Sequence, residues 1–113
     1  MEPELQDIFD KYFKYLTDEF GFQITNSVYD PQVFGNFVIE LSKGEKKLRL
    51  VSDRSQIFVE LYDPVTGWMD KEQILEENGI SSERYGSTYG LWNGFEIQNQ
   101  SVELQEYKNI LKL

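Results

Sequence analysis

Neither cysteine nor histidine occurs among the 113 residues. Without cysteine, the chain has no disulfide, no thiolate nucleophile and no thiolate metal ligand. Without histidine, it has no imidazole base, which excludes Ser-His and Cys-His catalysis and the usual zinc sites. We therefore predict no catalytic residues, no metal site and no cofactor, and the sequence favours a binding protein over an enzyme.

Long apolar runs are also missing. No stretch approaches the roughly 18 apolar residues of a membrane-spanning helix. The N-terminus carries Glu2, Glu4 and Asp7 where a secretory signal would need basic residues and then an apolar segment. These features predict a cytoplasmic protein without a membrane partner.

Basic residues are scarce: 11 Lys and Arg stand against 20 Asp and Glu, for a formal net charge of -9. Such a charge repels phosphates, so we predict no nucleic-acid partner. The same field would speed the encounter with a basic protein. Solubility alone would explain the acidity equally well.

Hydrophobic residues make up 40% of the chain, which is enough to build one core at this length. We predict a single domain over residues 1–113. Apolar residues at three-and-four spacing predict a helix from Pro3 to Phe20. Period-two alternation predicts a first strand near 22–28, and further strands near 37–41, 48–50 and 57–61 that form an antiparallel meander.

The register of this meander follows from its turns. Two-residue turns at 43–44 and 53–54 predict that Lys47 lies between Glu40 and Glu60, as a cross-strand charge ladder. A carboxylate-dependent hydrolase that uses such a pair of acids is the least favoured alternative. The same face also carries apolar side chains, namely Val38, Val51, Phe58 and Tyr62. A protein partner, another element of this chain or a second copy would cover that partly apolar face.

Helix signals follow the meander. Asp70 has the position of an N-cap, and Asn78-Gly79 would end the short helix that it begins. Ser101 is expected to cap a terminal helix.

The segment 81–100 between these helices is rich in Gly, Tyr, Ser and Asn. Its Asn93-Gly94 pair favours a hairpin. A helix over 82–92 is the alternative, at a cost of about 1 kcal/mol for each of two internal glycines.

These elements together predict an α+β fold. It comprises an N-terminal helix, an antiparallel meander sheet of four or more strands, a short middle helix, an aromatic and Gly-rich hairpin and a C-terminal helix. Aromatic, Gly and Asn residues together are typical of adaptable recognition surfaces. The predicted partner-binding residues are Glu76, Glu77, Glu83, Tyr85, Tyr89 and Trp92. The alternative is a small-molecule module, for a sugar or a nucleobase, with an aromatic pocket that contains Tyr89 and Trp92.

The stretch LRLVSDRSQIFVEL at 48–61, followed by Trp68 and a short helix, resembles small uncharacterised bacterial α+β proteins. Some groups of this kind are immunity proteins encoded beside polymorphic or contact-dependent toxins. The resemblance implies a cytoplasmic inhibitor that caps a basic toxin domain, with acidic groups in place of the toxin's anionic substrate. It covers about the middle third of the chain and transfers no functional residue.

Overall fold

The structure, a computed structural model, describes residues 1–33, 35–54, 56–81 and 94–113. The helices are α1 (Pro3–Tyr12), α2 (Tyr15–Asp18), α3 (Lys71–Glu77) and α4 (Gly94–Glu106). The strands are β1 (Gln23–Asp30), β2 (Asn36–Lys43), β3 (Lys46–Asp53), β4 (Gln56–Asp63) and β5 (Gly67–Asp70). The chain is therefore α+β, as predicted.

The strands form one five-stranded antiparallel sheet in the order β1-β2-β3-β4-β5. This meander confirms the prediction of four or more strands. The short edge strand β5, which carries Trp68, was not among the predicted strands. Its four residues are too few to show a period-two pattern.

The predicted register is wrong by two residues in both central hairpins. Ile39 pairs with Leu50, and Leu50 pairs in turn with Val59. The turn between β2 and β3 begins at Gly44, whose φ of +62° suits glycine. A two-residue shift leaves every side chain on its predicted face, so the hydrophobic pattern cannot detect it.

One face of the sheet, the inner face, packs against the helices. Its apolar side chains are buried with those of the helices in one core. The inner face contributes Phe37, Ile39, Leu41, Leu48, Leu50, Ile57, Val59 and Leu61. The helical segments contribute Leu5, Phe9, Phe13, Leu16, Leu75, Ile97 and Leu104.

The N-terminal helix is interrupted rather than continuous to Phe20. The backbone leaves the helix at Phe13, with φ -129° and ψ 7°, before α2 begins. Phe13 and Leu16, on either side of the break, are both fully buried, so the interruption leaves the apolar face of this segment in the core.

Helix α3 follows its predicted signals. Asp70 Oδ1 accepts a hydrogen bond from the Glu72 amide at 2.9 Å, which confirms the N-cap. Gly79 has a φ of +79° just beyond the helix end, the left-handed conformation that glycine adopts readily.

Residues 94–100 form the first turns of α4, so the predicted second strand of the hairpin is wrong. The predicted first strand and the alternative helix over 82–92 lie outside the described residues. Glu96, Gln100 and Ser101 are buried in α4. Because these buried residues are polar, they conceal the apolar period by which a helix is usually predicted.

Ser101 consequently lies inside α4 rather than at its N-cap. Its hydroxyl donates a hydrogen bond to the Tyr12 carbonyl at the end of α1. The Tyr15 hydroxyl donates to the Ser101 carbonyl at 2.7 Å. These bonds fix α4 against the N-terminal helices.

Candidate functional site

The second face of the sheet, the outer face, differs sharply from the inner one. The outer face comprises Val28, Asp30, Asn36, Val38, Glu40, Ser42, Lys47, Arg49, Val51, Asp53, Gln56, Phe58, Glu60, Tyr62, Trp68 and Asp70. None of these side chains is buried, whereas eight apolar side chains of the inner face are. The predicted partly apolar second face is therefore present, and it is accessible in the part of the chain that the structure describes.

An apolar row crosses four strands of the outer face. It consists of Val28, Val38, Val51 and Phe58, which the register places side by side. Val28 on the edge strand is 57% exposed. The other three are half-buried. Contiguous apolar side chains that remain partly accessible are characteristic of binding surfaces.

A second group lies beside this row and centres on Arg49. The Arg49 guanidinium carbon is 4.1 Å from the Trp68 ring centroid, and Arg49 Nε is 3.0 Å from Glu60 Oε1. The ring centroids of Tyr62 and Trp68 are 5.4 Å apart. Lys47 Nζ lies over the Tyr62 ring, 5.2 Å from its centroid. We call these five residues the Trp68 cluster.

The Trp68 cluster places an indole ring at the surface in a fixed position. Trp68 is 37% exposed, although Arg49 and Tyr62 both contact its ring. Cation–π and aromatic contacts hold the ring, and each contributes about 0.5–1 kcal/mol at an exposed site. Little further ordering is needed for Trp68 to insert into a partner's pocket.

Carboxylates dominate the charge of the outer face. Five carboxylates, from Asp30, Glu40, Asp53, Glu60 and Asp70, share this face with two cations. Arg49 lies between Glu40 and Glu60, so the prediction that Lys47 occupies that place is wrong. The cross-strand charge ladder remains, with arginine as its cation.

The predicted partner-binding residues are only partly described. Glu76 and Glu77 are exposed in the last turn of α3. Glu83, Tyr85, Tyr89 and Trp92 lie outside the described residues, and so does the predicted aromatic pocket. Sequence reasoning missed Trp68 and Arg49 as site residues, because their contact depends on β5 pairing with β4.

A buried polar cluster joins α3 to α4 beneath the sheet. The Lys71 side chain is fully buried, with Nζ 2.6 Å from Glu103 Oε2 and 3.8 Å from Glu72 Oε1. Gln100 Nε2 donates to the same Glu72 oxygen at 3.2 Å. Deeper in the core, Glu96 Oε1 accepts a hydrogen bond from the Ile57 amide at 3.3 Å. The cluster holds two helices together through charge-assisted hydrogen bonds.

A large pKa shift likewise belongs to helix packing. Burial raises the pKa of Tyr15 to about 12, against the opposing effect of its hydrogen bonds with Ser101 and Gln105. Among the described residues, no group of three or more carboxylates is placed to hold a metal ion. Within the same ranges, no helix is both long enough and apolar enough to cross a membrane.

No family model matches this chain, and neither the curated proteins nor the solved structures contain a match. Function is therefore inferred from the residues and their geometry alone.

Proposed function

We propose that this chain is a non-enzymatic binding protein whose outer face engages a basic protein in the cytoplasm. The proposed partner is a toxin domain that the chain inhibits, as an immunity protein does. The observation that carries the proposal is the Trp68 cluster, in which a fixed and exposed indole lies within a face rich in carboxylates.

Trp68 and Arg49 have the properties of an interface anchor. Tryptophan and arginine are enriched among the few residues that dominate binding energy. Here the two side chains stack, with 4.1 Å between the guanidinium carbon and the ring centroid. The apolar row from Val28 to Phe58 extends the same surface and would exclude water around the anchor.

The charges select a basic partner. The carboxylates of the outer face and the net charge of -9 both attract cationic surfaces. Glu76 and Glu77 add exposed carboxylates on α3. A domain that binds nucleic acid presents a basic surface of this kind, and carboxylates placed on it would displace its anionic substrate. The chain would then inhibit its partner by covering the partner's substrate site, without any catalytic reaction of its own.

The first test measures binding to the C-terminal domain of a secreted toxin encoded beside this gene. Trp68→Ala should weaken that complex at least 30-fold, the effect of losing an anchor worth about 2 kcal/mol. Val65→Ala is the matched control, because Val65 is 91% exposed in the turn before β5. Calorimetric titration gives both affinities, and the thermal midpoint verifies that each variant is folded.

Equal binding by the Trp68→Ala variant and the wild type would refute the outer face as the interface. Binding by neither would refute the toxin as partner. A second copy of the chain is the competing occupant of this face. If sedimentation shows that the wild type is a dimer and that the Trp68→Ala variant is a monomer, the outer face is a self-association surface and the proposal is refuted.

The second test addresses charge. Glu76→Gln with Glu77→Gln should lower the association rate constant at low salt and leave the dissociation rate nearly unchanged. At high salt, where charges are screened, the association rate constants of the variant and the wild type should become equal. An association rate that is independent of salt would contradict electrostatic attraction of a basic partner.

A further inference from the structure

A cavity of about 410 Å³ lies between the β4–β5 hairpin, α3 and the turns that follow α4. Small-molecule sites typically measure about 300–1,000 Å³ and have mainly apolar walls. The walls here include Phe22, Leu61, Met69 and Leu111. The cavity is separate from the apolar row of the outer face, although Lys47 and Tyr62 border both the cavity and the Trp68 cluster.

Lysines are concentrated around this cavity. Three of the eight lysines in the chain line it, namely Lys46, Lys47 and Lys112. Two carboxylates, from Asp63 and Glu77, line it as well. Among side chains alone, ammonium groups thus outnumber carboxylates at the cavity, in a chain whose net charge is -9. Asp63 Oδ1 is already engaged, since it accepts a hydrogen bond from the Val65 amide at 2.8 Å.

The backbone at Lys112 is strained. Its φ of +57° places a residue other than glycine in the left-handed region. The Leu113 amide donates to the Lys108 carbonyl at 2.9 Å and the Lys112 amide to the Asn109 carbonyl at 3.3 Å. This is the pattern of a Schellman turn, where glycine is the usual residue. Strain of this kind is often found at ligand sites, and Lys112 is one of the residues that line the cavity.

Lys46 and Lys47 already have partners. Lys46 Nζ donates a hydrogen bond to the Lys112 carbonyl, and Lys47 Nζ lies 5.2 Å from the Tyr62 ring centroid. Lys46 therefore stabilises the turn that carries Lys112. Of the three lysines, Lys112 is the one whose ammonium has no hydrogen bond, ion pair or ring contact in the described part of the chain.

We propose that the cavity binds a small amphipathic carboxylate, with its alkyl chain against Leu61, Met69 and Leu111 and its carboxylate paired with Lys112. The proposal is independent of the protein partner, since it uses the inner side of the β4–β5 hairpin rather than the apolar row. Apolar walls supply affinity, and the Lys112 ammonium supplies the preference for an anion.

The test is a calorimetric titration of the full chain with hexanoate, heptanoate and octanoate, below the concentrations at which these compounds aggregate. Each added methylene should tighten binding about fourfold while the cavity still has room. Octanol and octylamine should both bind more weakly than octanoate. Affinity independent of chain length, or octylamine binding as tightly as octanoate, would overturn the proposal.

Lys112→Gly tests the cation without disturbing the turn, because glycine adopts the required φ without strain. The variant should bind octanoate roughly two- to fivefold more weakly, as expected for an exposed ion pair, and should bind octanol unchanged. Lys14→Gln is the matched control, since Lys14 is an exposed lysine outside the cavity. Unchanged octanoate binding by Lys112→Gly would refute the role of Lys112.

Met69→Phe, which fills part of the cavity, should weaken the binding of both octanoate and octanol. Near-ultraviolet circular dichroism verifies that the variant is folded. If both ligands bind this folded variant as they bind the wild type, the cavity is not the site. N-acetyl-leucine binding more tightly than octanoate would instead indicate that the cavity receives a peptide C-terminus, and would overturn the proposal of a straight-chain ligand.

Discussion

Lys71→Met tests the buried ion pairs that join α3 to α4. The substitution keeps a flexible side chain of similar length and removes the ammonium group that lies 2.6 Å from Glu103 and 3.8 Å from Glu72. The carboxylates of Glu103 and Glu72, whose side chains are only 18% and 15% exposed, then lose their contact with this ammonium. Removal of one member of a buried ion pair typically lowers the free energy of unfolding by about 3–5 kcal/mol. Because both carboxylates are partly hydrated, we expect a value at the lower end of this range, about 3 kcal/mol.

The measurement is urea unfolding followed by tryptophan fluorescence and by circular dichroism. A loss of about 3 kcal/mol is large against the 5–15 kcal/mol that stabilises typical domains. The denaturant midpoint should therefore fall clearly, while the slope of the transition stays the same. Lys14→Met provides the surface control, with an expected change within about 0.5 kcal/mol.

The double variant Lys71→Met with Glu103→Leu shows whether the loss of stability comes from the broken ion pair or from poor packing of the methionine. Replacing both charges with apolar groups should restore at least about 1 kcal/mol of the loss, because the carboxylate that faced the removed ammonium is removed with it. A Lys71→Met variant within about 0.5 kcal/mol of the wild type would refute the reasoning, since it would mean that the ammonium contributes no net stability. A double variant no more stable than Lys71→Met would refute the coupling with Glu103.

Three further predictions follow from single residues. The pKa of Tyr15 is about 12 in the folded chain and about 10 in the unfolded chain. The neutral Tyr15 hydroxyl therefore contributes to folding stability fully below pH 10, and this contribution is lost as pH rises through 12. The loss should reach roughly 2–3 kcal/mol, and Tyr15→Phe should remove this part of the alkaline transition, as measured by unfolding at stepped pH. Gly79→Ala should cost about 1–2 kcal/mol, because the φ of +79° is strained for alanine although no atom lies within 4 Å of the added carbon. The same change at Gly44 should have a comparable effect, whereas equal stability of either variant and the wild type in urea would show that the turn relaxes freely. Asp70→Ala should lose about 1 kcal/mol through the missing cap, and Asp70→Asn should retain most of it.

Much of the fold could be predicted from local pattern. The period-two alternation assigned the residues of β2, β3 and β4 to the correct faces, and the cap at Asp70 and the glycine at Gly79 bounded α3. These features depend on neighbours in sequence, so the sequence carries them directly. The absence of histidine and cysteine likewise restricts the available chemistry, because composition does not depend on how the chain folds.

Less of the candidate site could be predicted. Glu76 and Glu77 are exposed, and their role in partner binding stays a prediction, whereas the outer-face anchor was not identified from the sequence. The stacking of Arg49 on Trp68 requires β3, β4 and β5 to be adjacent, and Trp68 lies on a strand too short for a pattern. Residues 19 positions apart meet only through the pairing of whole strands.

The sequence by itself determined the α+β class, the acidic character and the two faces of the sheet, because composition and side-chain period are local properties. Tertiary structure decided the register and the extent of α4. A shift of two residues preserves every face, so the turn geometry at Gly44 and the packing of whole strands had to select the pairing. Likewise, Glu96, Gln100 and Ser101 are buried in a helix where each forms a hydrogen bond with a residue that is distant in sequence.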